Sequence, residues 1–146
     1  MTGEEITIKT ADGPMGGYLA RPAAGRGPGL VVIQEIFGVN KVVRDIADGF
    51  AARGYFALAP DLFWRLEHGV QLSDKSDAEW KRAFDLMNKF NPDTGVKDIQ
   101  ASISYLRALD GCVEEAQIKG RVVPHKDRAP AAAGADRMTD FPKNAL

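Results

Sequence analysis

An unbroken apolar run, Leu30-Val31-Val32-Ile33, followed at once by Gln34 and Glu35, constrains this chain more than any other feature. A strand made of such a run has no polar face, so both its faces must be covered. A second run, Tyr55–Ala59, has the same character and is ended by Pro60. We read Leu30–Gln34 and Tyr55–Ala59 as buried strands. Between them Asn40 is a good N-cap, and Val42, Val43, Ile46, Phe50 and Ala51 recur at helical spacing before a glycine stop at Gly54. Strand, helix, strand with short links predicts adjacent parallel strands joined by a crossover helix, and therefore an α/β fold.

The flanking segments fit that frame. Glu5–Lys9 alternates polar and apolar residues, Asp12-Gly13 is a turn signal, and Gly17–Ala20 suits a return strand. The segment from Trp64 to Lys75 reads as a polar loop. Ser76 with Glu79 makes a capping-box pattern, and Trp80, Ala83, Phe84 and Met87 fall on one face of the helix that follows. A further helix is expected from about Asp93 to Leu109, with Val96, Ile99, Ile103 and Leu106 as its apolar stripe.

Glu35 is the first candidate for chemistry. Ligands of parallel α/β sheets bind beyond the carboxyl ends of the strands, and Glu35 stands just past such an end. A solvated or salt-bridged loop carboxylate is the competing reading, since most Asp and Glu are simply exposed. Composition narrows the field. With 19 basic and 20 acidic residues the formal net charge is −1, which gives no electrostatic reason to expect nucleic acid or an anionic membrane as partner. No apolar run approaches the roughly 20 residues of a membrane span. The acidic, polar start MTGEEITIKT is unlike a signal peptide, and the single cysteine, Cys112, excludes an internal disulfide. These features point to a cytoplasmic protein.

The segments VVIQEIFGVN, RDIADGFAARGYFALAPDLFWRLEHGVQL and FDLMNKFNPDTGVKDIQASISYLRALDGC, in this order and spacing, resemble the dienelactone hydrolase family, a branch of the α/β-hydrolase fold. The resemblance runs from about residue 5 to Cys112. It implies hydrolysis of small-molecule esters or lactones through a Cys-His-Asp triad, with no metal or organic cofactor. It also implies roles for single residues. Glu35 would take up the proton of a nucleophilic thiol, and the Ile36 backbone N–H would be part of the oxyanion hole. Phe37, Trp80 and Arg82 are the candidate substrate contacts. Trp80 and Phe84 fall where the best-known members set an arginine and a tyrosine against a substrate carboxylate, and core packing is the plainer role for both. A carboxylate held among Ile36 and Phe37 would be a stronger base than one in water, because burial disfavours its charge.

Beyond Cys112 the family pattern should continue into a strand and a G-x-C-x-G elbow. The chain instead reads VEEAQIKGRVVPHKDRAPAAAGADRMTDFPKNAL, which holds neither G-x-C-x-G nor G-x-S-x-G. Since the triad order is nucleophile, acid, histidine, all three members are expected to be missing. Cys112 follows a helix stop without a glycine frame and reads as a structural or incidental thiol. His68 and His125 read as surface loop residues, with His125 and Asp127 at most a weak dyad. IKGRVV is a strand candidate, and residues 127–146 read as a poorly ordered tail. The expected organisation is therefore an N-terminal part of an α/β-hydrolase, residues 1–112, joined to a divergent tail, residues 113–146, with hydrolysis absent from this chain alone. A frameshift, an assembly error or a degraded gene would each produce it. A sheet left incomplete in this way would expose an apolar edge at Tyr55–Ala59 or its neighbours and invite self-association.

Overall fold

In a computed structural model, residues 3–113 and the backbone of residues 116–118 and 121–123 are described. Strands β1 (Glu4–Thr10) and β2 (Gly13–Ala20) form an antiparallel hairpin, with Thr10 directly opposite Gly13. The second strand thus begins at the turn, earlier than Gly17. Its far edge pairs antiparallel with β4 (Phe56–Pro60), and β4 in turn pairs in parallel with β3 (Gly27–Val31). A two-residue strand, β5 (Cys112–Val113), runs parallel to the start of β3. The order across the sheet is β1-β2-β4-β3-β5. The expected parallel pair is therefore present, at the centre of an α/β sheet.

Side chains alternate across this sheet, as the two-residue period of a strand dictates. Tyr18, Ala20, Ala57 and Ala59 face α1 (Lys41–Ala51), and Leu19, Phe56 and Leu58 face α3 (Pro92–Ala108). The alanine floor lets α1 approach closely through Val43, Ala47 and Ala51. On the other side Ile8, Met15, Trp64 and Leu106 complete a bulkier layer.

Several expectations need correction. The first apolar run enters the sheet as Gly27–Val31, not Leu30–Gln34, and it is only half-buried, with Ile33 50% exposed. Glycines allow the early start. A Cβ on Gly27 would lie 1.9 Å from the Gly54 carbonyl oxygen, so only glycine lets these backbones meet. Of the expected places for an uncovered edge, Tyr55–Ala59 or its neighbours, it is the neighbour β3 that has one among the described residues. The order sets β4 between two neighbours and buries all of it, whereas β5 reaches only Gly27 and Pro28 of β3.

The helices start where their caps predict but present other faces. The Asn40 side chain accepts from the Val43 N–H at 3.2 Å, yet Val42 is 62% exposed and Arg44 is buried in its stead. Arg44 lies 4.9 Å over the Tyr18 ring, donates through Nε to the Val39 carbonyl at 2.9 Å, and pairs with Glu5. In α2 (Asp77–Lys89), Ser76 Oγ accepts from the Glu79 N–H at 3.2 Å. The Glu79 carboxylate does not return to Ser76; it takes the Ser73 hydroxyl, so only half the capping box forms. Ala83 and Leu86 are the buried residues of α2, and Leu86 packs on Phe63 and Val70; Trp80, Phe84 and Met87 are exposed. Core packing is therefore not the role of Trp80 and Phe84. In α3 the buried face is Gly95, Asp98, Ser102 and Leu106, while Val96 is 55% exposed and Ile103 also faces out.

A polar residue wins the inward face of α3 because its partners are waiting. Asp98, 1% exposed, accepts from Trp64 Nε1 at 2.9 Å and from Arg65 Nε and Nη2 at 3.0 and 2.9 Å. Arg65 also stacks 4.7 Å from the Trp64 ring centroid and reaches Asp12 at 2.8 Å. The segment expected as a polar loop thus begins with a buried, braced tryptophan. IKGRVV belongs not to one strand but to two, β6 (Ala116–Ile118) and β7 (Arg121–Val123), paired antiparallel in a separate sheet. His125, Asp127 and the expected tail at residues 127–146 lie outside the described residues.

Candidate active site at the strand ends

Two loops leave the carboxyl ends of the parallel strands side by side: residues 32–40 after β3 and residues 61–76 after β4. They are stitched together. The Leu62 N–H donates to Gln34 Oε1 at 2.9 Å, the Leu72 N–H donates to the Phe37 carbonyl at 2.9 Å, and Asn40 Nδ2 donates to the Leu72 carbonyl at 2.9 Å. Gly38 is the point of closest approach. Its φ is +79°, and a Cβ there would lie 2.1 Å from the Val70 carbonyl oxygen, so no other residue fits without moving the loop. The second loop is pinned from within by buried Asp61, which accepts from the Phe63 N–H at 3.2 Å and the Gly69 N–H at 2.9 Å. Burial pushes the Asp61 carboxyl above its ordinary value, and the two amide hydrogen bonds oppose that.

On this rim the residues expected to act separate into two groups. Glu35, Ile36 and Phe37 follow one another through the turn closed by the Gly38 N–H on the Glu35 carbonyl at 3.3 Å. Ile36 is half-buried, and among the described residues its N–H meets no acceptor. Phe37 is buried, and Trp80 packs on it edge-on, with centroids 4.9 Å apart and planes at 84°. The Trp80 indole N–H donates to the Asp74 carbonyl at 2.9 Å. Arg82 lies apart, paired with Glu67. Glu35 is exposed, so among the described residues it is not held between Ile36 and Phe37 as expected. The physical reason is the turn itself: Phe37, Gly38 and Val39 go inward, and Glu35 is left on the outside.

Cys112 is at the other end of the molecule. It pairs with Gly27 at the start of β3, and its Sγ lies 3.0 Å from where a Gly29 Cβ would be, in the layer around Leu106. The five residues of β3, about 13 Å of strand, separate that end of the sheet from the Glu35 loop. Burial pushes the Cys112 thiol up, away from the thiolate. His68 is in the exposed part of the second loop, 6.0 Å from the Trp64 ring. Among the described residues no cluster of three or more His, Cys, Asp or Glu suits a metal ion, and no helix is long and apolar enough to cross a membrane. Sequence reasoning missed Gln34, Gly38, Asp61 and Asp98. The glycine between two apolar residues in IFGV was the one visible hint.

A mixed sheet with a helix on each face, its central parallel strands joined through a crossover helix, is the α/β-hydrolase plan, here in its N-terminal part. The chain belongs to the dienelactone hydrolase family: the family model matches residues 15–120. It is 60% identical over 91 residues to a protein of Azospirillum brasilense whose assigned activity is carboxymethylenebutenolidase, covering 61% of this chain and 39% of that protein. It is 34% identical over 100 residues to the carboxymethylenebutenolidase of a Pseudomonas species, covering 68% of this chain and 42% of the relative. A crystal structure from Klebsiella pneumoniae assigned as a dienelactone hydrolase superposes with a TM-score of 0.61 at 30% identity, over 75% of this chain and 45% of that one. The chain thus spans less than half the length of these relatives.

Proposed function

We propose that this chain carries one side of an ester- or lactone-hydrolase site and, alone, does not hydrolyse. Glu35 is the base of that site, the Ile36 N–H is half of its oxyanion hole, and Phe37 and Trp80 line the approach of a small-molecule substrate. Arg82, held by Glu67, is at most an outer contact. The observation that carries the reading is the separation of the parts. Glu35 and Ile36 stand beyond the carboxyl end of β3, whereas the single cysteine of the chain packs beside its start. A thiol at that end cannot attack a carbonyl held at the Ile36 amide. Residues 1–112 are then the hydrolase portion and residues 113–146 a divergent segment, in a cytoplasmic protein.

Hydrolysis of an activated aryl ester tests this, with Glu35→Gln and Cys112→Ser alongside. All three proteins should match the buffer rate, since loss of the nucleophile from a hydrolytic triad costs on the order of 10⁶ in turnover. Turnover of about 1 per second or more that Cys112→Ser abolishes would refute the proposal.

A second reading rests on β3. The Val32 N–H donates to the Leu58 carbonyl, so strand alternation turns the Val31 N–H and C=O away from β4, to the side where, among the described residues, β5 pairs only Gly27 and Pro28. Pairing with a second copy through this edge would satisfy them. Light scattering across a concentration series should show dimers or larger species. A monomer at every concentration, melting cooperatively, refutes self-association.

A further inference from the structure

Strand β1 ends the sheet on the side away from β3, and among the described residues β2 is the one strand hydrogen-bonded to it. Which of its backbone groups face outward follows from the register. Gly16 gives its carbonyl to the Asp61 N–H, on the β4 side of β2, at 2.9 Å. Its register partner Thr7 therefore turns its own N–H and C=O to the open edge. Lys9 lies opposite Pro14, which has no N–H to give, and Glu5 lies opposite Tyr18; both share the alternation of Thr7. A groove of about 750 Å³ runs along Thr7–Asp12 beside α3, so the edge is accessible there.

Edge strands usually carry charge that repels further pairing. In β1 the charges do the reverse. Glu5, Thr7 and Lys9 share one face of the strand, and all three are exposed. A second copy laid antiparallel about a twofold axis at Thr7 sets Glu5 opposite the partner's Lys9 at both ends, and Thr7 opposite the partner's Thr7. On the other face Ile6, half-buried in the layer around Ile8, falls opposite the partner's Ile8. Both charges are available. Lys9 has no carboxylate partner among the described residues, and Glu5 meets Arg44 through Oε1, which leaves Oε2 for a second cation. Other arrangements are worse. Parallel pairing in register sets Glu5 on Glu5 and Lys9 on Lys9, and sliding the antiparallel pair by two residues removes both ion pairs. Sliding by one turns the wrong faces together.

We infer that β1 is a docking edge for a second copy of this chain, paired antiparallel in the register centred on Thr7. Glu5, Thr7 and Lys9 then each exchange both backbone bonds with the facing residue, as in a hydrogen-bonded antiparallel pair. The inference goes beyond the hydrolase reading and is separate from pairing at β3, which lies across β2 and β4 from β1.

Cysteine cross-linking reads the register directly. In a Cys112→Ser background, Thr7→Cys should form an interchain disulfide under mild oxidation, because the Cα atoms of a hydrogen-bonded pair stand about 5.5 Å apart, within disulfide reach. Lys9→Cys should not, since two such cysteines would be offset by about 13 Å along the strands. Sedimentation of the unaltered chain should show a monomer–dimer equilibrium, weak because the interface is short. Thr7→Pro removes an outward donor at an edge that tolerates proline, and it should leave the chain monomeric. Lys9→Glu sets like charges opposite each other at both ends and should weaken dimerisation about five- to thirtyfold, whereas Lys9→Arg should retain it. Cross-linking of Lys9→Cys as efficient as that of Thr7→Cys, or none with Thr7→Cys, overturns the inference. So does a monomer at every concentration. Association unchanged by Thr7→Pro and Lys9→Glu also overturns it and leaves pairing at β3 standing.

Discussion

Two neighbouring parallel strands of this protein have opposite fates. In β4 every residue from Phe56 to Pro60 is buried, whereas in β3 every residue from Gly27 to Val31 is only half-buried. The run that follows Gly29 is the more apolar of the two in sequence. What separates them is company. Strand β4 is hydrogen-bonded to β2 on one side and β3 on the other, with helices over both faces; beyond Pro28, β4 is the one strand hydrogen-bonded to β3 among the described residues. Burial is conferred by neighbours, and a strand's own hydrophobicity is only a request for them.

The comparison can be broken first at the brace beneath the β4 loop. Asp98→Ala leaves the Arg65 guanidinium and Trp64 indole without their shared acceptor. A loss of about 3–5 kcal/mol is expected, read from urea unfolding. A loss under about 1 kcal/mol would mean that the braced half is no firmer than the open one. Next, Leu58→Ala on β4 should cost about 2–5 kcal/mol. Val31→Ala, its register partner on β3, should cost about 1 kcal/mol or less. Similar costs would show that the open side of β3 is covered in solution. Amide exchange sharpens the same point: the Leu58 and Ala59 N–H groups should exchange far more slowly than that of Val31. Val31 protected as well as Leu58 would instead support pairing of that edge. The smallest effect concerns Cys112. Its thiol is raised by burial, so the neutral form is the one the fold favours. That contribution is complete below the unfolded value near 8.5 and fades as pH rises through the folded value. Alkylation by iodoacetamide should therefore follow a pH profile displaced upward from that of the urea-unfolded chain, and coincident profiles would contradict the packing described.

The sequence made the sheet and the caps legible. Asn40 and Ser76 cap as their side chains predict, and the parallel pair follows from the strand-helix-strand order. Helix faces were not legible. Both Trp80-Phe84-Met87 and Val96-Ile103 are apolar stripes that face out, and the inward stripe of α3 carries glycine, aspartate and serine. Its signal is Arg65, 33 residues away and visible only once folded. Gly95 has a similar hidden reason, since a Cβ there would strike the Phe90 ring at 2.5 Å. At the site, the position of Glu35 past a strand end was readable. Its exposure was not, because it depends on the turn that Gly38 makes against Val70.

The register of β2 also sets a timetable for synthesis. On the ribosome the β1–β2 hairpin can close early, but Leu19 meets its partner only when Leu58 emerges. A four-stranded sheet is then possible while α3 is still untranslated. Its side of Ile8, Met15, Leu19, Phe56 and Leu58 stays wet until Leu106 arrives. At about 5–20 residues per second that interval is roughly 2–10 s, long enough for a chaperone to meet the nascent sheet before its own helix does.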